Sequence, residues 1–392
     1  MTASAAALDV LALNSGSSSL KFGLYRVGAA RIETLLSGAA TSIGEREASF
    51  RARDARGPLA DETLPLPGQG EAVERIGRLL AGAGMPAPAA IGHRIVHGGP
   101  SLRQHCLIDD AVVRQIEAAG AFAPLHTPPA LSVIRFARDH FPGLAQAACF
   151  DTSFHAELDA VAQTLPIPRK LRAEGLRRYG FHGLSCESIL HQLADDLPER
   201  LIVAHLGNGA SVTAVKGGRS IDTSMGLTPT GGVIMGTRSG DLDPGILVYL
   251  MREKQLDAAA LEDLVDRRCG LLGISGVGSD MRRLHEAAAS NPDARLAVEM
   301  FCYSVRKQIA AMVAALDGAD MLVFTGGIGE NDAEIRASVC SGLSWIGLSL
   351  DPLRNRSADD PIHDPGSRCR IRVLASQEDE QIARHTRTLL SR

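Results

Sequence analysis

Several chemically capable residues stand beside glycine or proline at the ends of patterned segments. Arg94 lies in Ile91-Gly-His93-Arg94-Ile-Val96-His97, just before Gly98-Gly99, and Arg238 lies between Gly236 and Gly240. Asp151 follows the apolar run Ala145–Phe150, His126 sits in Ala123-Pro-Leu125-His126-Thr-Pro-Pro129, and His182 precedes Gly183. Asn14 opens a Gly/Ser stretch and Glu378 opens an acidic one. Phosphoryl transfer needs such a set: forked cations for anionic oxygens, oxygen ligands for magnesium, and alignment of attacker with phosphorus. Taken singly, each residue also has an ordinary structural use. Arginines make surface ion pairs, strand-end aspartates cap helices, and an acid in a helix's first turn is favourable anyway.

Two stretches are built to position these groups. Val10–Leu13 is apolar, Asn14, Gly16 and the serines form a polar turn, and Leu20, Phe22 and Leu24 alternate away from it, which predicts strand, tight turn, strand. Backbone N–H groups and hydroxyls gathered at such a tip can receive a phosphate. An ordinary polar hairpin has the same pattern, and this stretch leaves both readings open. Leu201–Val215 repeats the design, with His205-Leu206-Gly207-Asn208-Gly209 at its turn. The echo predicts a duplicated fold with nucleotide between its halves.

Elsewhere, Arg31–Ser37 and Glu47–Arg53 read as strands, followed by turns rich in Pro and Gly (Pro58, Pro65, Pro67, Gly68). Glu71–Leu80 and Asp109–Ala119 read as helices, Ala145–Phe150 as a buried strand, and a further helix ends near Leu193. The loop Met225–Pro244 is long enough to be functional in its own right. A helix starts at Asn291-Pro292 and carries Val298, Cys302, Val305, Ile309, Met312 and Leu316 on one face. Met321–Phe324 and Ile371–Leu374 read as strands, and Ser376-Gln-Glu378-Asp379 as a capping box opening the C-terminal helix.

The first hairpin, with Asn14, Gly16, the serines and Lys21, resembles the leading signature of the acetate kinase family, and the resemblance covers nearly the whole chain. It implies the sugar kinase, Hsp70 and actin superfold: α/β, duplicated, two actin-like lobes with the active-site cleft between them. The N-terminal lobe, on the acyl-substrate side, would span 1–151 plus 377–392, and the nucleotide-binding lobe 152–376. By the same resemblance Arg94 and Arg238 line the acetate and transferring-phosphate site, and His182 and Arg238 stabilise the transition state. His126 takes the place of a second active-site histidine, and Asp151 is the catalytic aspartate. Asn14 and Glu378 are linked to magnesium, for which manganese can substitute. Lys21, His205, Asn208 and Gly209 would serve the nucleotide phosphates, and Asp280, Met281, Arg282, Gly327, Ile328 and Asn331 the adenosine. Val96, Leu125, Phe181 and Pro229 match the apolar wall around the acetate methyl group. Three departures stand out: Gln377-Glu378-Asp379-Glu380 where the family reads Asn-Glu-Glu-Leu, Thr230-Gly231 in place of Leu-Glu, and Gly278 in place of a serine.

The implied activity is reversible exchange of ATP and acetate for ADP and acetyl phosphate, in a homodimer. Propionate or another short acid is the alternative substrate, and an ATP-gated switch of the actin and Hsp70 kind is the rival of a different class. No Gly-x-x-x-x-Gly-Lys-Ser/Thr occurs, nor a Gly-x-Ser-x-Gly elbow, nor His-Glu-x-x-His. A formal net charge of -4 with scattered Lys and Arg argues against a nucleic-acid surface. Seven cysteines without a Cys-x-x-Cys pair argue against a disulfide framework and for a reducing cytosol. No run of 18 apolar residues and no signal-peptide pattern is present, so no membrane partner is expected.

Overall fold

Val10, Leu11, Ala12 and Leu13 are each at most 1% exposed, because the strand β1 (Leu8–Ser15) is covered on both faces. Leu11 and Leu13 point to one core with Phe22 and Leu24 of β2 (Ser19–Val27) and with Val73 and Ile76 of the helix Gln69–Gly82. Val10 and Ala12 point to the other, with Tyr25, Leu184, Ile382 and Ala383. A strand buried on both faces reads as a continuous apolar run, as this one does. The computed structural model describes residues 7–16 and 18–391. Ser17 of the first turn therefore lies outside the described residues.

The chain forms two compact units: Met1–Ala156 with Gly183–Ser188 and Gln377–Arg392, and Glu157–His182 with Ile189–Ser376. In the first unit β3 (Ile32–Thr41), β4 (Ala48–Asp54), β5 (Gly57–Leu64), β6 (Ala90–Ile95), β7 (Cys106–Leu107) and β8 (Ala145–Phe150) join β1 and β2. They make an eight-stranded sheet of order β5-β4-β3-β2-β1-β6-β8-β7. β1 is antiparallel to β2 and parallel to β6, which is parallel to β8. Arg94, near the carboxyl end of β6, and Asp151, just past β8, are thereby brought to the same edge of the sheet, where open α/β sheets carry their chemistry.

The second unit holds β9 (Arg200–Leu206), β10 (Ala210–Lys216), β11 (Arg219–Thr223), β12 (Met321–Thr325) and β13 (Arg370–Val373), in the order β11-β10-β9-β12-β13. Their senses repeat those of β3-β2-β1-β6-β8: two antiparallel neighbours, then two parallel ones. The duplication heard in the two hairpins is thus a duplication of sheet topology.

Three expectations are corrected. Pro58 lies in β5, not in a turn; β5 is the sheet's edge strand, where a residue without an N–H breaks no ladder. The helix Pro292–Ala315, capped by Asn291, turns Ala294, Ala297 and Phe301 into the core along with Cys302, Val305, Ile309 and Met312, while Val298 is only half-buried. The C-terminal helix is capped at Gln377 rather than Ser376: Gln377 is the N-cap of the helix Glu378–Leu390 and makes no side-chain cap bond. Asp379 is engaged by Asn14 instead. All seven cysteines are free.

Candidate active site

At the carboxyl edge of the first sheet, Arg94 meets Asp151 with two nitrogens, Nε at 3.0 and 3.1 Å from the two carboxylate oxygens and Nη2 at 2.6 Å from one of them. Its Nη1 donates to Asn14 Oδ1 at 3.1 Å, and Asn14 Nδ2 donates to Glu378 Oε2 at 3.2 Å and Asp379 Oδ1 at 2.9 Å. Four segments distant in sequence thus close one network: hairpin tip, β6, the exit of β8 and the start of the C-terminal helix. A guanidinium has five N–H donors, so Nη1 and Nη2 each keep one for a further anion. Burial pushes the Asp151 carboxyl up, to about 6, against the pull of Arg94 and with help from Glu378. Burial works against the Arg94 charge, but Asp151 and Glu378 outweigh it and hold the group above its ordinary range. Burial also raises Asp379, which Asn14, Lys21 and Arg94 pull down while Glu378 adds to the rise. Gly183 is required nearby, since a Cβ there would lie 2.3 Å from the Asp151 carbonyl oxygen.

The second unit builds its cluster on the second hairpin. His182 Nδ1 lies 2.9 Å from Ser211 Oγ on β10, and its ring stacks on His205 of β9 with centroids 4.2 Å apart. His205 and Ser211 are cross-strand partners, so the histidine pair is set by register. His182 has φ of 59°, a left-handed conformation rare for a residue with a Cβ and frequent at functional sites. A Cβ on Gly209 would stand 3.1 Å from His182 Nε2 and 3.5 Å from Arg238 Nη1, so the hairpin tip, His182 and Arg238 converge. The loop that carries Arg238 is tied down by its own bonds: Gly236 N–H to Asn208 O, and Arg238 Nη1 to Pro229 O at 3.1 Å. Thr230, one of the departures, donates to Asp266.

The sequence pattern of the acetokinase family matches residues 9–384, a span that includes both clusters. The chain belongs to that family. It is 43% identical to an acetate kinase of Nitrobacter hamburgensis over 97% of this chain and 96% of that protein. Among solved structures it is similar to a propionate kinase from Francisella tularensis, with 37% identity, a TM-score of 0.91, and coverage of 97% of this chain and 100% of that one. An acetate kinase of Porphyromonas gingivalis gives 34% identity and a TM-score of 0.84 over 98% and 100%. The fold is the duplicated two-lobe α/β fold of actin-like ATPases.

In this acetokinase the remaining expected residues fall within one unit or the other. Lys21 is exposed on β2, cross-strand from Asn14. His126 is the half-buried N-cap residue of the helix Thr127–His140, with Leu125 half-buried beside it and Val96 buried after β6. Phe181 and Pro229 are buried in the second unit. Asp280 caps the helix Met281–Ala288 and pairs with Arg282, while Met281 is buried. Gly327, Ile328 and Asn331 lie on the short helix Gly326–Asn331 after β12, where Asn331 Nδ2 donates to Gly327 O and a Cβ on Gly207 would be 3.8 Å from Gly327 N.

Sequence reasoning missed two braces of that turn. Glu330 Oε1 accepts from the N–H groups of Gly326 and Ser376, both at 2.9 Å. Arg336, 1% exposed, donates through Nη1 to Gly329 O and Glu330 O at 2.8 and 2.9 Å, and through Nε and Nη2 to Asn355. Its position, a few residues past a glycine turn on the next helix, is the only signal the sequence carries. Asp379 was also passed over; its partner Asn14 is 365 residues away.

The first cluster fits a divalent cation. Asp151, Glu378 and Asp379 bring three carboxylates together around Asn14 and Arg94, and their oxygens are the hard ligands magnesium prefers.

Proposed function

We propose that the protein transfers the γ-phosphoryl group of ATP to acetate, reversibly, giving ADP and acetyl phosphate. The observation that carries this reading is the acetokinase match over residues 9–384, which spans both hairpins and both arginines. Acetate is already an anion at neutral pH, so no base has to take a proton from it. The task is to bring two anions together and hold the phosphoryl charge. Arg94, steadied by Asp151 and Asn14, uses its remaining donors on the acceptor carboxylate and phosphoryl oxygens. Arg238 and His182 act on the phosphoryl group. His182, its Nδ1 held 2.9 Å from the Ser211 hydroxyl, can donate to the phosphoryl oxygens from Nε2 when the proton stands there. Glu378 and Asn14, with Asp379 beside them, would hold magnesium or manganese, whose charge offsets that of the phosphate oxygens. Lys21, Asn208 and Gly209 serve the nucleotide phosphates. Asp280, Met281, Arg282 and the Gly326–Asn331 turn serve the adenosine.

The 37%-identical propionate kinase favours a second reading, the same transfer to propionate. The test is ADP release with acetate, propionate or neither, with the acyl phosphate trapped by hydroxylamine. Acetate-dependent ADP and hydroxamate are expected. Turnover that ignores both acids would sink the reading and favour an ATP-driven switch. The protein is further proposed to work in the cytoplasm as a homodimer. No helix among the described residues is long and apolar enough to cross a membrane. The helix Pro244–Glu253 leaves Val248, Tyr249 and Met251 at least half exposed and buries none of its residues, an apolar face that a second copy would cover. A monomer mass by light scattering at assay concentration would remove that reading.

A further inference from the structure

β7 is only two residues long and pairs through Cys106 and Leu107 with Ala148 and Ala147 of β8. β8 continues through Cys149 and Phe150, so the N–H of the fully buried Phe150 extends past the ladder. A buried N–H must find an acceptor. His105, the residue before β7, supplies one: Phe150 N–H donates to its Nδ1 at 3.0 Å. The next residue is held on both sides, Asp151 N–H donating to Ile95 O at 3.0 Å and Asp151 O accepting from Gly183 N–H at 2.9 Å. Of the three bonds that fix this backbone, one is made by a titratable side chain.

A ring nitrogen that accepts an N–H carries no proton, so the neutral His105 keeps its proton on Nε2. Glu187 Oε1 stands 3.6 Å from that nitrogen, and Glu187 Oε2 lies 2.8 Å from His385 Nε2, which Gln381 Nε2 also approaches at 3.0 Å. Ligand atoms of His105, Glu187 and His385 lie within 4.8 Å of one another, a spacing a metal ion would accept. The tautomer decides against a metal, because Nε2–H has no lone pair to give. Burial holds the His105 pKa below its ordinary value, with His385 adding to the fall and Glu187 opposing it. The neighbouring thiols of Cys106 and Cys149 are pushed up by burial. A second proton on His105 would have to enter at Nδ1, facing the Phe150 N–H.

We propose that His105 is a positioning residue for phosphoryl transfer: as the Nε2–H tautomer set by the Phe150 N–H, its ring stands in for the missing strand and fixes the backbone that presents Asp151 to Arg94. The proposal rests on Asp151 being the catalytic aspartate. The test uses the full chain. In wild type labelled with 15N-histidine, a long-range 1H–15N spectrum at neutral pH should show His105 with Nδ1 unprotonated and Nε2 protonated, unchanged by added Zn²⁺. That reading needs no variant to fold. His105→Ala should lower kcat about tenfold with KM for ATP within about twofold, on the scale of a small misplacement at a reacting centre. His105→Asn, whose amide oxygen can replace Nδ1 as acceptor, should recover kcat to within about threefold of wild type. A protonated Nδ1, a zinc ion retained by wild type and lost in His385→Ala, wild-type kcat in His105→Ala, or equal losses in the Ala and Asn variants would each overturn the proposal. Asp151→Asn is assayed alongside. Full activity there would overturn the reading of Asp151, whereas the tautomer stands or falls by the spectrum alone.

Discussion

The two units repeat one order of strands and put different chemistry at its ends. At the first hairpin Asn14 sits inside a chain of charges, Arg94 on one side of its amide and Glu378 and Asp379 on the other. At the second, Gly209 lies beside the stacked rings of His182 and His205 and beside Arg238, whose Nη1 bonds a main-chain carbonyl. Topology therefore decides where side chains gather, and the side chains decide what the place can do. The difference is also energetic. Arg94 serves as the counterion of a carboxylate that is 0% exposed, so removing it strands a buried charge. The carbonyl and the thioether that Arg238 Nη1 meets carry no charge to be stranded when it is removed.

Arg94→Ala and Arg238→Ala test this contrast most strongly. Each should lower kcat by roughly two to three orders of magnitude, the loss of one charge-assisted contact worth about 3–4 kcal/mol. Only Arg94→Ala should also lower unfolding stability substantially, by about 3–5 kcal/mol, because Asp151 is left unpaired. Equal denaturant midpoints for the two variants would erase the distinction, and near-normal kcat in either would remove that arginine from the site.

Glu378→Gln should raise the magnesium concentration for half-maximal activity by roughly 10- to 100-fold, while the melting temperature moves little, since a helix-start acid is worth about 1 kcal/mol or less. Superimposable magnesium titrations would leave Glu378 as a helix-start acid and make the first cluster purely structural.

Acid should act through the first unit. Asp151 is raised from 3.8 to about 6, so as pH falls through about 6 it takes up a proton and loosens its hold on Arg94. kcat should then fall by about tenfold per pH unit below that value, and the limb should vanish in the residual activity of Asp151→Asn. Stability runs the other way. A carboxyl with a raised folded pKa contributes stability present below about 3.8 and lost as pH rises through about 6. A flat kcat profile down to pH 5 would contradict the assignment.

Two smaller effects sharpen the comparison. Arg336→Lys in the second unit cannot reproduce four bonds to carbonyl oxygens with a single ammonium, and should raise KM for ATP by about tenfold while KM for acetate stays unchanged. A parallel rise in both KM values would make Arg336 a general brace. Val96→Ala in the first unit should shift the kcat/KM ratio toward propionate by about tenfold or less, the scale of one methylene in an apolar pocket. An unchanged ratio would take Val96 out of the pocket wall.

What was legible in the sequence was what local pattern determines. The Asn14 turn lies between strands whose alternation can be read directly, and the Asn291-Pro292 start is a cap that the structure uses as such. Pro58 was misread because its tolerance in β5 depends on β5 being an edge, a property of the whole sheet. The cap of the last helix was placed one residue early for a related reason: Asp379 has a nonlocal partner in Asn14 that no local pattern shows. Arg94 and Asp151 could each be singled out, but not their bond to each other, which depends on β6 and β8 lying side by side. Glu330 and Arg336 look like ordinary surface charges until the turn they brace is seen.

The helix Glu378–Leu390 has a consequence for how the protein is made. Ile382 and Ala383 complete the face of β1 that carries Val10 and Ala12, so a strand made before the second unit is covered by a helix made after it. All of the second unit's residues from Ile189 to Ser376 are translated in between. At ~5–20 residues per second that interval is on the order of tens of seconds, during which an apolar sheet face stays uncovered. The first unit therefore becomes native only after the second has had time to fold.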